Sequence, residues 1–196
     1  MLFGVIGKAR SGKDTFSKIL AKVIFNKHKS RYTIMAFATA LKNKVQKDFD
    51  MSWEQLWGEH KEVPDERYFN LLTGRYWTPR EILQSYGEFY RGIDPNYWVS
   101  ALFDIIDDNE IKNVIISDVR HLEETTAVTS RGGITIKVER EDRSEINGAS
   151  HISEVSLDDY EADFTIDNTG TIKDLTNATL NVVNVIFNEN KIGGFI

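Results

Sequence analysis

The chain opens Met1-Leu2-Phe3-Gly4-Val5-Ile6-Gly7-Lys8-Ala9-Arg10-Ser11-Gly12-Lys13-Asp14-Thr15, and this stretch decides how everything after it is read. A short apolar run, Leu2 to Ile6, is followed by Gly7, four residues, Gly12 and Lys13. An amphipathic segment then runs from Thr15 towards Phe25. That is a strand, a glycine loop and a helix. In such a loop the glycines let backbone N–H groups turn inward on phosphate oxygens. The helix presents its positive end, and the lysine ammonium reaches the outer phosphates. The spacing alone occurs by chance in about one chain in twenty of this length. Its position after an N-terminal strand and before a helix makes it informative, and it predicts a nucleoside triphosphate held by Gly7, Lys8, Ala9, Arg10, Ser11, Gly12, Lys13, Asp14 and Thr15. The usual Ser or Thr after the lysine, whose hydroxyl ligates Mg²⁺, is replaced by Asp14, and the hydroxyl comes one later at Thr15. Either of these approaches the metal, or Asp14 is only a favourable charge at a helix N-terminus.

Outward from the loop, strand and helix alternate. Residues 32–38 read as a second strand and 39–48 as a helix with Ala40, Leu41 and Val45 on one face. Residues 51–77 give no clear pattern, because Gly58, Pro64 and Gly74 interrupt it. Thr78-Pro79-Arg80-Glu81 is a strong helix start: a Thr cap, Pro in the first turn and Glu three residues after Thr. A further helix carries Trp98, Leu102, Ile105 and Ile106. Val114-Ile115-Ile116-Ser117 is a continuous apolar run of the kind that buried parallel strands show, and Asp118-Val119-Arg120 follows it. A helix over 122–130, a strand over 134–138, a polar loop over about 139–153, a strand near 163–168 and a closing helix over 172–187 complete the chain. The expected class is α/β with a mainly parallel five-stranded sheet and flanking helices.

Composition sets limits on function. The 196 residues suffice for one sizeable core. A net charge of −6 argues against a partner that is a nucleic-acid polymer, which needs a basic face. Cysteine is absent, which excludes disulfides and thiolate metal sites and suits a reducing compartment. The apolar run at the N-terminus is too short for a signal peptide, and no stretch reaches the length of a membrane span. The expectation is a soluble protein of the cytoplasm, that of a host cell if the source is viral. The four histidines lack metal-ligand spacing, and no nucleophile triad is present.

In open parallel sheets ligands bind beyond the carboxyl ends of the strands. This rule gathers residues 7–15, 38–42, 118–120 and 140–151 around one expected cleft. Asp118 is the candidate for holding Mg²⁺ or polarising an acceptor, with a helix-capping Asp as the plainer alternative. Arginine forks pair with phosphate oxygens, so Arg10, Arg75, Arg80, Arg91, Arg120, Arg140 and Arg143 are candidates. Arg140 and Arg143 lie where a closing lid brings charge onto a transferred phosphoryl group. Core packing is the first expectation for most of Trp53, Trp57, Trp77 and Trp98, with one of them free to stack on a base.

Five stretches together resemble the phage-type deoxynucleoside monophosphate kinases. They are Gly-Lys-Ala-Arg-Ser-Gly-Lys-Asp-Thr (7–15), Phe-Ala-Thr-Ala-Leu-Lys (37–42), Thr-Pro-Arg-Glu-Ile-Leu-Gln (78–84) with Arg91 and Asp94-Pro95-Asn96-Tyr97-Trp98 following, Ser-Asp-Val-Arg-His-Leu-Glu-Glu (117–124), and His-Ile-Ser-Glu (151–154). The resemblance spans nearly the whole chain and includes Asp at the loop's Ser or Thr position. The segment Asp163-Phe-Thr-Ile-Asp-Asn-Thr-Gly-Thr is similar to the closing strand and turn of small P-loop kinases, where that turn lies by the adenine.

The resemblance implies a three-layer P-loop kinase fold in a single domain, 1–196, with a helical acceptor-binding insertion at about 43–110 and a lid-like loop at about 139–153. It implies transfer of the γ-phosphoryl of ATP to a deoxynucleoside 5′-monophosphate, with Mg²⁺. It carries Lys13 to the ATP phosphates, Asp118 and Arg120 to the catalytic cleft and residues 78–98 to the acceptor-binding region, and Arg140 and Arg143 of the lid join Lys13, Asp118 and Arg120 as the catalytic candidates. Lys42, Arg75, Arg80, Gln84, Arg91, Trp98, Asp118, His151 and Glu154 go to the acceptor, and Asp14, Thr15 and Asp118 to the metal. Competing readings are another small P-loop kinase of the dephospho-coenzyme A or phosphomevalonate type, and a non-catalytic nucleotide switch. An exposed helix among residues 78–106 could support a homodimer.

Overall fold

The computed structural model describes residues 1–8, 10–140, 157 and 159–192. The chain begins with β1 (Leu2–Ile6), α1 (Lys13–His28) and β2 (Thr33–Met35). Next come α2 (Phe37–Phe49), a short α3 (Trp53–Leu56), a 3₁₀ turn at His60–Glu62 and the strand pair β3 (Phe69–Asn70) and β4 (Arg75–Tyr76). The helices α4 (Pro79–Ile93) and α5 (Tyr97–Asp108) follow. The chain then forms β5 (Val114–Val119), α6 (Leu122–Ser130), β6 (Ile134–Glu139), β7 (Phe164–Asp167) and α7 (Ile172–Ile192). Two compact units result: Met1–Ala36 with Ile106–Ile196, and Phe37–Ile105.

The first unit is built on a five-stranded sheet in the order β2-β5-β1-β6-β7, with every neighbouring pair parallel. The first strand is therefore central, with Leu2 opposite Val114 on one side and Phe3 opposite Ile134 on the other. This position explains its unbroken apolar run, since a central parallel strand is buried on both faces. Successive residues point to opposite faces. Phe3 and Val5 join Phe16 and Leu20 of α1 and Leu175 and Val183 of α7 in the main core, while Gly4 faces Val128 of α6. Helices thus cover both faces of the sheet. The entry to β7 is fastened by Asp163, whose Oδ2 accepts from the backbone N–H and the hydroxyl of Thr135 at 2.7 and 2.8 Å.

The strand expected over 32–38 is shorter in the structure. Only Thr33–Met35 pairs with β5, and Phe37 already begins α2, where it is buried and meets Phe103 edge-on at 6.3 Å. One apolar run therefore serves two elements. The closing helix continues beyond residue 187 to Ile192.

The second unit contains the stretch that resisted reading. Ser52 caps α3, accepting from Gln55 N at 3.3 Å while its own N–H donates to Gln55 Oε1 at 2.9 Å. Asp65 then gathers the loop: it accepts from Gln55 Nε2 at 2.7 Å, from Arg67 N at 3.1 Å and from both ends of the Arg67 guanidinium at 2.9 and 2.7 Å. Backbone bonds from Asp65 N to Trp77 O and from Trp77 N to Tyr68 O, both 2.8 Å, close the base of the β3–β4 hairpin. The Thr78–Glu81 capping box is formed, with Glu81 N donating to Thr78 Oγ1 at 3.2 Å and Thr78 N to Glu81 Oε2 at 2.9 Å. Val45, Met51, Leu56 and Ile82 pack beneath these elements. No helix among the described residues is long and apolar enough to cross a membrane.

Candidate active site

The glycine loop leaves β1 and enters α1 through two close approaches. A Cβ on Gly7 would lie 2.4 Å from Ser11 Oγ and 2.9 Å from Val138 O, so the loop lies directly against the end of β6. Gly12 caps α1 in the left-handed region, φ 91°, and a Cβ there would lie 2.2 Å from Asn168 Nδ2. Arg10 also sits at positive φ, 63°. The turn is closed by Ser11 N donating to Lys8 O at 3.2 Å. Lys13, only 7% exposed, folds its ammonium back towards the loop, with Nζ 3.3 Å from Lys8 O. A buried ammonium beside the N-terminal end of a helix is the local chemistry that favours an anion. Ser11 Oγ is buried and has no hydrogen-bond partner among the described residues, which is a further polar group ready for a ligand.

Asp14 and Thr15 lie exposed in the first turn of α1. Ala9 falls outside the described residues. Asp118 differs slightly from expectation. It is within β5 rather than after it, because the pairing shifts between Gly4↔Ile116 and Ile6↔Val119, so that Ser117 and Asp118 together oppose Val5. Bulges of this kind re-aim a side chain at the rim of a sheet. The turn that follows is drawn onto Glu124, 5% exposed, whose Oε2 accepts from Arg120 N at 2.7 Å and His121 N at 3.1 Å. Sequence reasoning did not single out Glu124. Its signal was its place three residues after His121 at a helix start, the spacing of a capping residue. Arg140 is exposed just beyond β6. Arg143, His151 and Glu154, together with residues 141–153 of the expected lid, lie outside the described residues.

The remaining acceptor candidates belong to the second unit. Arg75 pairs with Glu81, NH1 to Oε2 3.2 Å, which holds the Glu81 carboxyl below its ordinary range together with the Thr78 backbone. Arg80 pairs with Glu62, Gln84 is exposed, and Arg91 has no ion-pair partner among the described residues. Lys42 Nζ stands 5.5 Å from the Trp57 ring centre. Trp98 is 3% exposed and its indole N–H donates to Gly87 O at 3.0 Å, so the ring is a packing residue of this unit rather than an open stacking surface.

Among the described residues there is no group of three or more His, Cys, Asp or Glu that could hold a metal.

A parallel sheet in this order, with a glycine loop between its central strand and first helix, defines the chain as having the fold of the P-loop small-molecule kinases. Dephospho-CoA kinase from Campylobacter jejuni shares that fold at a TM-score of 0.54 with 14% identity, over 96% of this chain and 98% of that one. Shikimate kinase from Aquifex aeolicus aligns over 99% of this chain and 100% of its own at a TM-score of 0.49 and 16% identity. Residues 69–179 match the family model for deoxynucleotide monophosphate kinase, and the chain belongs to that family. A protein of Acanthamoeba polyphaga mimivirus, itself provisionally described as a deoxynucleotide monophosphate kinase, is 29% identical over 93% of this chain and 96% of its own length.

Proposed function

We propose that this protein transfers the γ-phosphoryl group of ATP to a deoxynucleoside 5′-monophosphate, yielding the deoxynucleoside diphosphate and ADP. The observation that carries this reading is the loop at residues 7–13, with Gly12 in the left-handed region and Lys13 buried against it, in a chain that belongs to a nucleotide kinase family. An oxygen of the acceptor phosphate attacks the γ-phosphorus while the bond to the β,γ-bridging oxygen breaks, and ADP carries that oxygen away. Such a reaction needs positioning and charge neutralisation more than covalent chemistry.

In this reading the backbone of residues 7–15 and the Lys13 ammonium hold the triphosphate. Asp118 and Arg120 serve the reacting groups, with Arg140 and Arg143 supplying further charge. Lys42, Arg75, Arg80, Gln84 and Arg91 serve the acceptor, with His151 and Glu154 from the segment 141–156. Asp14, Thr15 and Asp118 are the groups suited to Mg²⁺ or its waters. Bound Mg²⁺ would neutralise phosphate charge.

The test is ADP formation from Mg-ATP with each deoxy- and ribonucleoside monophosphate, and with dephospho-coenzyme A, offered separately and with Lys13→Ala as the blank. Acceptor-dependent ADP with deoxynucleotides, reduced by at least about 100-fold in the variant, is the expected result. Turnover with dephospho-coenzyme A and with no deoxynucleotide, or wild-type turnover in Lys13→Ala, overturns it.

A further inference from the structure

The turn after β7 reaches the glycine loop through one side chain. Asn168 is 8% exposed and is held from two directions. Its backbone N–H donates to Glu139 O at 2.7 Å, which extends the β6–β7 pairing by one residue. Its side-chain amide donates from Nδ2 to Ser11 O at 2.8 Å. The neighbouring Asp167 braces the same turn, accepting from Thr169 N at 2.9 Å and Thr169 Oγ1 at 3.0 Å. Asn168 is thus delivered to the loop by a rigid strand end and a tied turn.

The bond to Ser11 O has a consequence for the next residue. A trans peptide is planar, and its C=O and N–H point in opposite directions. Pinning the Ser11 carbonyl onto Asn168 therefore aims the Gly12 N–H away from Asn168. No acceptor among the described residues takes that N–H. The position of Asn168 Nδ2 makes the same point sterically, because the amide occupies the place where any side chain at position 12 would begin.

We propose that Asn168 is a positioning residue for the triphosphate: by fixing the plane of the Ser11–Gly12 peptide it presents the Gly12 N–H to a phosphate oxygen, and it sets affinity for ATP without touching the acceptor. This rests on the kinase reading above. A hydrogen bond from an oriented amide to a charged oxygen corresponds to roughly ten- to hundredfold in affinity.

The experiment compares wild type with Asn168→Ala and Asn168→Leu, measuring ATP dissociation constants by calorimetry, KM for ATP and for the acceptor separately, and the thermal midpoint. Leu matches Asn in size but has no donor. Both variants should bind ATP about ten- to hundredfold more weakly and keep the wild-type acceptor KM, with Asn168→Leu retaining a folded transition. If Asn168→Leu binds ATP as wild type does and only Asn168→Ala is impaired, the side chain acts by filling space and the proposal is wrong. Loss of acceptor affinity in step with ATP affinity also overturns it. A wild-type protein that does not bind ATP overturns the kinase reading instead, a result separate from any ranking of the variants.

Discussion

Gly12 meets two constraints at once: a backbone at φ 91° and an amide nitrogen 2.2 Å from where a side chain would start. Gly12→Ala therefore has to distort the loop or expel Asn168. It is expected to cost about 1–3 kcal/mol of stability and to abolish measurable ATP binding, read by thermal unfolding and calorimetry. A variant with unchanged midpoint and ATP affinity would contradict this account of the loop. At this scale the contiguous part of the site was legible, since Gly7, Gly12 and Lys13 carry their geometry in their spacing. What was not legible is whatever arrives from far along the chain. Asn168 lies 157 residues from Ser11, and nothing local to an Asn after a strand says which carbonyl it will meet. Trp98 shows the converse: its partner, Gly87 O, belongs to a different helix, so the composition of its own helix left its packing role unread.

Among the elements, the loop between α3 and the hairpin depends on one carboxylate. Hydrogen bonds from the Arg67 guanidinium, outweighing the cost of burial and helped by the Arg67 backbone and Gln55, hold the Asp65 carboxyl well below the ordinary carboxylate range. A depressed folded value means that the charged form favours the fold. The contribution is complete above the unfolded value, near pH 4, and is lost as pH falls below it towards the folded value. Acid titration followed by tryptophan fluorescence should show this loss between Trp57 and Trp77, and Asp65→Asn should flatten that part of the titration. The same variant should lose about 1–3 kcal/mol at neutral pH, since Arg67 is half-exposed and water replaces part of what it gives up. An acid profile identical in wild type and variant would rule Asp65 out as the cause. This loop was illegible because β3 and β4 are two residues each, too short for any alternation to register. α4 was legible because Thr78, Pro79 and Glu81 announce a helix start within four residues. The end of β2 was misplaced because an apolar run does not say where pairing stops and helix begins.

For the whole molecule, the two units differ in size and in what reports on them. Trp53, Trp57, Trp77 and Trp98 all lie in Phe37–Ile105, so tryptophan fluorescence follows the smaller unit, whereas far-ultraviolet circular dichroism follows both. A unit of about 70 residues buries a smaller share of its surface than a larger one. Its fluorescence midpoint in urea is expected below the dichroism midpoint, and coincident curves would indicate a single cooperative structure. The alternation of strand and helix pointed to a mainly parallel five-stranded sheet, but it said nothing of the strand order, nor that the first strand would be central. That central place has a consequence for the chain as it is made. β1 leaves the ribosome before its partners: Val114, the residue opposite Leu2, follows 112 residues later, and Ile134 later still. At roughly 5–20 residues per second, the strand at the heart of the sheet waits about 6–20 s for its first neighbour of β5. During that wait the whole of Phe37–Ile105 has been synthesised, so the inserted unit is free to fold before the sheet that flanks it in sequence can close. Until β5 and β6 arrive, the apolar β1 has neither of its sheet neighbours, and the glycine loop that follows it lacks the β6 end it lies against.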